Sequence, residues 1–313
     1  MLKFGLLKRE QIDGKSAFPV LGQYGLNAAA TDLAVLLGGI RSENKCTRDG
    51  KPICAYWTQT PLPGEMVLCT SVDNTPMSCY PYERWPSVRP VIPASEASKI
   101  QLKKSRDGVG ETTIYKHGEF PQTIADDETT KELETLYQKR QLPTTGKIYT
   151  FDSTRLEKLS TEFTAKEHAE YEHNGHKYIR VLARPYDSDA GLSDKERAEV
   201  GRLCQLSNGE KAQADKYYWV RVEPLEWLLN KETGDLISLK AILAGLQLDS
   251  EPRYVGRFQE TSLYRYLTDF FAKEMEPSKT MTRTIKRLKS SSSSKKNSTK
   301  KRGFITTDRG EHQ

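Results

Sequence analysis

Several common signatures are missing from this 313-residue chain, and each absence excludes a class of function. No stretch approaches the roughly 20 consecutive apolar residues that a membrane-spanning helix requires. The first ten residues, Met-Leu-Lys-Phe-Gly-Leu-Leu-Lys-Arg-Glu, meet charge too early to form the apolar core of a signal peptide, so a cytoplasmic setting is expected. There is no G-x-x-x-x-G-K-[ST] and no G-x-G-x-x-G after a strand, which removes the usual nucleotide cradles. Nothing resembles a nucleophile elbow or a Cys-centred catalytic motif. The five cysteines (Cys46, Cys54, Cys69, Cys79, Cys204) contain no C-x-x-C pair, so neither a zinc ribbon nor a redox dithiol is indicated and free thiols are expected. No cofactor is implied.

The basic charge is concentrated at one end. Ten basic residues and no acid lie between Pro277 and Arg302: Lys279, Arg283, Lys286, Arg287, Lys289, Lys295, Lys296, Lys300, Lys301 and Arg302. Subtracting those ten from the chain's net +6 leaves all other residues together at −4. The body is therefore acidic, and overall basicity says nothing about a nucleic-acid-binding fold. With the serine run Ser290–Ser294 and no apolar periodicity, residues 277–313 are expected to be a disordered tail. Its cations could contact phosphates without sequence preference, through Lys286, Arg287, Lys289, Lys295, Lys296, Lys300, Lys301 and Arg302, or serve only as a solubilising linker.

What remains is enough for a folded core: four Trp, fifteen Tyr and nine Phe in the whole chain. A helix is predicted over Ala28–Leu37, stopped by Gly38-Gly39. Residues 45–93 read as loops mounted on short strands at 55–58, 66–70 and 88–92. Residues 94–128 are polar and predict a connecting segment with a strand near 112–116. Thr129 and Glu132 have capping-box spacing before a helix at 130–140, and Ser193 and Glu196 repeat it before a short helix ending near Leu203. Tyr171–Tyr178 carries an Asn174-Gly175 turn and predicts a two-residue β-hairpin. Tyr217–Val222 is a strand running into Pro224–Leu229. Leu263, Tyr266, Leu267, Phe270, Phe271 and Met275 recur at helical spacing.

Three constellations have a chemical and a plain interpretation. His173 and His176 face each other across the Asn-Gly turn, where with His168 and a carboxylate such as Glu170 or Glu172 they could share a metal, or stand as ordinary surface residues. Asp126-Asp127 and Asp187/Asp189 sit in loops, which suits solvated carboxylates. Tyr217-Tyr218-Trp219 and Tyr264/Tyr266 could stack bases or fill a core, and aromatic strands and helix stripes more commonly fill cores.

A set of motifs carries a family resemblance. Ala30–Ala34 (Ala-Thr-Asp-Leu-Ala), Trp57-Thr58-Gln59-Thr60-Pro61 and Val88-Arg89-Pro90-Val91 resemble segments of an uncharacterised bacterial and phage domain. That domain is related to the formylglycine-generating-enzyme version of the C-type lectin fold. Gly118-Glu119-Phe120-Pro121-Gln122 is similar to the family's opening G-x-Y-P-Q, and Val222–Leu228 to its E-P-I-x-W strand. Ile237–Leu243 and Tyr254–Leu263 resemble the segments that follow. The resemblance covers residues 18–275 and implies an α+β lectin-like fold over 1–276, as one domain or as two lobes, 1–105 and 106–276. The family's closing motifs come first here, as a circular permutation would place them, or a remnant of one copy followed by part of another.

The segment from the W-T-x-[ST]-P strand to the Arg-Pro motif also resembles the variable ligand-binding surface of retroelement-diversified lectin-like proteins. By that resemblance, 57–90 is a recognition surface for a protein or glycan, with Met66, Asp73, Asn74, Ser78, Tyr80, Tyr82, Glu83, Arg84 and Trp85 as contact residues. Tyr, Trp and Arg are frequent interface anchors, and Asn and Ser adaptable hydrogen-bonders. Exposed Tyr80, Tyr82, Arg84 and Trp85 on a frame of Trp57 and Arg89 are expected; an irregular loop packed for stability is the alternative. The enzymes of the fold bind copper through closely spaced cysteines. Cys69 and Cys79 do not match that spacing or its flanks, so a non-catalytic protein is implied.

Overall fold

The computed structural model describes residues 2–12, 28–46, 51–71, 76–96, 101–107, 110–152, 165–186, 204–230, 233–250 and 253–278. One helical turn at Arg9–Ile12 (α1) and a helix at Asp32–Leu36 (α2) precede short strands at Arg41–Cys46 (β1), Pro52–Cys54 (β2), Trp57–Leu62 (β3), Met66–Thr70 (β4), Pro76–Cys79 (β5) and Val91–Pro93 (β6). Strands Gln101–Asp107 (β7) and Gly110–Ile124 (β8) form a hairpin, followed by the helix Asp127–Gln138 (α3). Then come Thr144–Asp152 (β9), Ala165–His173 (β10), His176–Leu182 (β11), Tyr217–Leu229 (β12) and Asp235–Ser238 (β13). The last helix begins at Ser262–Tyr266 (α4), widens to a π-helical turn over Leu267–Phe271 and ends with Ala272–Glu274.

The result is a sheet-rich α+β fold. β12 is its spine. One edge pairs with β11 and then β13, the other with β8, all antiparallel. β10 and β9 extend the sheet beyond β11, β6 beyond β13 and β7 beyond β8. A second, three-stranded sheet runs β3-β4-β5.

The two proline motifs of the second half lie opposite each other. Val222 pairs with Pro121, Glu223 with Phe120 and Pro224 with Glu119. Proline donates no ladder hydrogen bond, so the strands bulge there, with register shifts on either side of Glu223. The Gln122 amide repairs the gap, its Nε2 donating to the carbonyls of Glu223 (3.1 Å) and Pro224 (3.0 Å). Gly118 is needed for a different reason. Its φ is 75°, and a Cβ would fall 2.8 Å from the Met275 carbonyl oxygen, which accepts from Glu119 N at 2.8 Å. The end of the last helix docks on β8 through that contact.

One apolar cluster draws on the whole length, from Leu33 and Leu36 of α2 through Trp57, Ile92, Val220 and Trp227 to Leu263 and Phe271. Residues on both sides of position 105 therefore share a core, within a unit spanning Met1–Pro277. Leu133, Leu142, Tyr178 and Trp219 form a smaller cluster beneath α3. The expected disordered tail lies, from Lys279 onward, outside the described residues, as does the helix expected after Ser193. No helix among the described residues is long and apolar enough to cross a membrane.

Several boundaries differ from the sequence reading. α2 starts at Asp32 and not at Ala28, because Ala29 and Ala30 bridge to Ile53 and Ala241, and Thr31 caps the helix by accepting from Ala34 N. α3 is capped by Asp126, with Thr129 as the donor, one turn earlier than the capping-box spacing suggested. The polar stretch expected as a connector is the β7–β8 hairpin. Backbone ladders need no apolar alternation, so largely polar strands such as Gln101–Asp107 escape a hydrophobicity reading. In the last helix the π-helical turn shifts the stripe's phase, and Phe270 emerges exposed, stacked on Tyr266.

The docked helix end buries an acid. Glu274 is 6 % exposed; one carboxylate oxygen accepts from Thr150 N at 2.5 Å and the other has no hydrogen bond. Burial pushes its pKa up to about 7, against the opposing pull of the Thr150 hydrogen bond and Lys147. The folded state then holds a proton that the unfolded chain releases near 4.5, so stability falls as pH rises between those values. Half-buried His117 and buried His168, whose pKa values are lowered, act in the opposite sense at acidic pH. Glu274→Gln should cancel the carboxylate's share of the slope and be the more stable protein above pH 7, by on the order of 2–3 kcal/mol. Denaturant titrations at pH 5 and pH 8 check this; the same parent–variant difference at both would refute it.

Candidate functional site

The resemblance motifs of the first half form the frame beneath the candidate surface. Trp57 is fully buried, and its indole donates to the Leu246 carbonyl at 3.2 Å. The Thr58 hydroxyl donates to Leu68 O at 2.6 Å, and Tyr254 closes over β3 by donating to Gln59 O at 2.8 Å. Arg89 is 1 % exposed, donates from Nε to Ser238 O at 2.9 Å and lies 5.4 Å over the Tyr56 ring. Both residues occupy the frame positions expected of them.

On this frame β4 and β5 pair so that Cys69 lies opposite Met77 and Cys79 opposite Val67. The two cysteines are diagonal neighbours on the buried side, Cα atoms 6.2 Å apart, and they form a disulfide. The free thiols expected from sequence are thereby corrected for this pair; Cys54 and Cys204 are free and buried. Burial pushes the Cys54 thiol up to about 12, which makes it a poor nucleophile. A signal for the bond was present: Asp73-Asn74, strong turn formers, lie nearly midway between the two cysteines.

Immediately after Cys79 the chain makes the turn that carries most of the candidate residues. Glu83 closes it twice, its N donating to Tyr80 O (3.1 Å) and its Oε1 accepting from Tyr80 N (3.2 Å). Its other oxygen accepts from the Trp85 indole. Asp249 N donates to Pro81 O and Gly245 N to Arg84 O, so segment 241–249 braces the turn from behind. Tyr80 and Tyr82 stack at 5.2 Å between centroids, 8° from parallel, with Tyr80 47 % exposed and Tyr82 partly so.

The structure brings together Tyr80, Tyr82, Glu83 and Trp85, but not every expected contact residue. Arg84 is corrected: expected at the surface, it is 4 % exposed, because the 245–249 brace packs against it and it lines a cleft with Leu246, Tyr266 and Phe270. Trp85 is half-buried against the main core, so only part of it is available. Ser78 is exposed on β5, Met66 is half-buried at the start of β4, and Asp73 and Asn74 lie outside the described residues. Exposed Met77, next to Ser78, adds apolar surface that the sequence reading did not select.

The remaining constellations resolve as packing. The hairpin forms as expected, with Asn174 and Gly175 at φ 50° and 75° and His173 opposite His176. His173 Nε2 lies 2.8 Å from Glu132 on α3, while His176 takes a hydrogen bond from Arg221 Nη2 at 2.9 Å. His168, an odd number of residues from His173, faces the other way, stacked on Phe151 at 4.3 Å. Among the described residues, no group of three or more His, Cys, Asp or Glu is placed to hold a metal. Asp126 caps α3, and Asp187 and Asp189 lie outside the described residues. Trp219 and Tyr218 are buried and Tyr217 is exposed, covered in part by Arg180 at 3.7 Å from its ring.

Comparison with family models, curated proteins and solved structures finds no match to this chain.

The disulfide closes a ten-residue separation around the tip of the β4–β5 hairpin, from which the tyrosine turn departs. A Cys69→Ala/Cys79→Ala variant should lose about 2–3 kcal/mol of stability from the freed unfolded chain. Thermal melts with and without dithiothreitol check it. A parent protein that melts identically in both, and identically to the variant, would show the bond to contribute nothing.

Proposed function

We propose that this chain is a non-catalytic recognition protein that binds a protein or glycan through the turn Tyr80–Trp85 and the neighbouring hairpin face. The observation that carries the proposal is the stacked Tyr80–Tyr82 pair, left at the surface of a turn whose backbone is closed by Glu83 and braced by 245–249. Apolar ring area held rigid before binding loses little conformational entropy on binding, which is what aromatic anchors contribute at interfaces. The proposed fold is C-type-lectin-like, of the formylglycine-generating-enzyme type. Its motif order is that of a circular permutation, a reading supported by the single core drawn from both halves.

The cytoplasmic setting expected from sequence is opposed by the Cys69–Cys79 bond, since reducing compartments keep such pairs as thiols. A second reading, contact with nucleic acid through the basic tail, is favoured by ten cations without an acid between Pro277 and Arg302. It predicts salt-sensitive DNA binding by the full chain that vanishes on truncation after Glu276, measured by fluorescence anisotropy at two salt concentrations. DNA binding that survives truncation would exclude the tail as its source.

The recognition reading is tested with a glycan array and a displayed-peptide library, each probed with the full chain and with Tyr80→Ala and Tyr82→Ala. Each variant should weaken a hit by about 1–3 kcal/mol while melting as the parent does. Trp57→Ala should do the reverse of a surface change and cost about 3–5 kcal/mol of stability. If the tyrosine variants unfold as badly as Trp57→Ala, or bind every hit unchanged, the turn is part of the packing and not a recognition face.

A further inference from the structure

The cleft of about 460 Å³ over Asp32 is polar, and its buried carboxylate accepts from Arg41, Ile124 N, Ser207 N and Ser207 Oγ. A second cleft, of about 330 Å³, is built instead from aromatic rings and shares no lining residue with the tyrosine turn. Arg180 pairs with Trp219 and Leu182 with Tyr217, so these four side chains lie on one face of the main sheet. On that face α3 buries Leu133 with Trp219 and Tyr178 and stops at Gln138. Tyr137, at the end of the helix, lines the cleft together with Ala169, Tyr171, Arg180, Leu182 and Tyr217. Three of the seven large hydrophobic side chains exposed among the described residues meet here: Tyr137 (37 %), Tyr217 (48 %) and Ile148 (48 %), which pairs with Ala169.

The rings are held in place before any ligand arrives. Tyr137 packs edge-on against Tyr171 and Trp219, with centroids 5.7 Å away in both cases. Arg180 forks onto Glu134 through Nε (3.1 Å) and Nη2 (3.0 Å), and its guanidinium lies 4.9 Å from the Tyr137 ring centre and 3.7 Å from that of Tyr217. The two exposed rings are therefore at most about 9 Å apart, and a polyproline II helix advances about 9 Å in one three-residue turn. The charges balance: Glu134 answers Arg180, and Lys166 and Glu167 stand exposed in the lining with opposite signs. His168 is engaged elsewhere, through Nδ1 to the Arg180 carbonyl and by stacking on Phe151. Among the described residues the hydroxyls of Tyr137, Tyr171 and Tyr217 make no hydrogen bond, and Arg180 keeps N–H groups beyond the two given to Glu134. The cleft thus offers ring faces and donors, with no net charge.

We infer that this cleft binds a proline-rich peptide segment in the polyproline II conformation. The carbonyls of such a segment have no internal hydrogen bonds, and proline has no N–H, so it brings acceptors to a donor-rich wall and no donor that the wall must answer. Residues three apart face the same side, which sets one pyrrolidine ring against Tyr137 and the next against Tyr217, with the Arg180 guanidinium between them. The segment is stiff before it binds and the rings are fixed, so little conformational entropy is lost on either side. A glycan, whose hydroxyls donate as well as accept, finds one uncommitted carboxylate in the lining, that of exposed Glu167.

The experiment titrates the full chain into fluorescein-labelled decaproline and, separately, into a labelled Gly-Ser decamer, with anisotropy as the readout. Decaproline should bind saturably with a Kd on the order of 0.1 mM, and the Gly-Ser decamer should not bind. Tyr217→Ala and Tyr137→Ala should each raise that Kd at least about fivefold, the loss of one ring contact. Tyr217→Phe keeps the ring and removes the hydroxyl, so it should raise the Kd by a smaller factor. Tyr217 is half exposed, and its alanine variant should melt close to the parent, which separates loss of binding from loss of fold. Unlabelled cellohexaose should leave the bound decaproline in place. Decaproline that fails to bind, that is matched by the Gly-Ser decamer, or that binds both alanine variants unchanged overturns the inference. Displacement by cellohexaose assigns the cleft to glycans and overturns it equally.

Discussion

The fold depends on one buried carboxylate. Asp32 ties together four separate parts of the chain: its own helix α2, β1 through Arg41, β8 through Ile124 N, and the 205–209 segment through Ser207. A buried charge with one partner costs more than it returns, and leaving either member alone is the expensive outcome. Here four donors converge on Asp32, and Arg41 also donates to the carbonyls of Ala30 and Gln205. The arrangement has little tolerance for displacement, and it fixes where α2 can lie.

From α2 the constraint passes outward in steps. Thr31, the cap of that helix, donates to the carbonyl of Ile242 with its hydroxyl and to that of Ala241 with its N–H. Segment 241–249 is thereby aligned along α2, and its other side bonds Val88, Trp57, Arg84 and Pro81 in turn. The tyrosine turn is the last link. Its position is set in part by that helix, acting through this segment, which helps a stretch without long strands hold a stacked aromatic pair in one orientation.

Much of this was legible in the sequence, and what was not has physical causes. The Asn174-Gly175 hairpin, the apolar stripe after Thr261 and the Trp57 and Arg89 frame positions are local signals, carried by turn chemistry, helical spacing and side-chain size. The two proline motifs were visible as words, but that Pro121 faces Val222 and that Gln122 mends the bulge are facts of pairing. Arg84 shows the limit most plainly. Its residue type and loop setting point to the surface, and only the distant brace at 245–249 turns it inward. Asp32 and Lys240 gave no signal of a shared cleft, because 208 positions separate them and neither belongs to a motif with a known chemistry.

The two surface features differ in how they use polarity. At the tyrosine turn, the polar groups are satisfied internally: Glu83 answers the backbone of Tyr80 and the indole of Trp85, leaving ring area to face solvent. A ligand there gains mainly from area and shape, and little from charge. At the Asp32 cleft the acid is answered by four donors, one of them from the Arg41 guanidinium, so polarity there is spent on holding separate parts of the chain together. The first kind of surface tolerates substitution, since any ring or chain that fits the backbone can replace another without orphaning a buried group. The second does not, because losing one of these donors leaves a buried carboxylate short of a partner. Substitution is therefore cheap at the turn and costly at the cleft, and that asymmetry follows from the same network that holds the core.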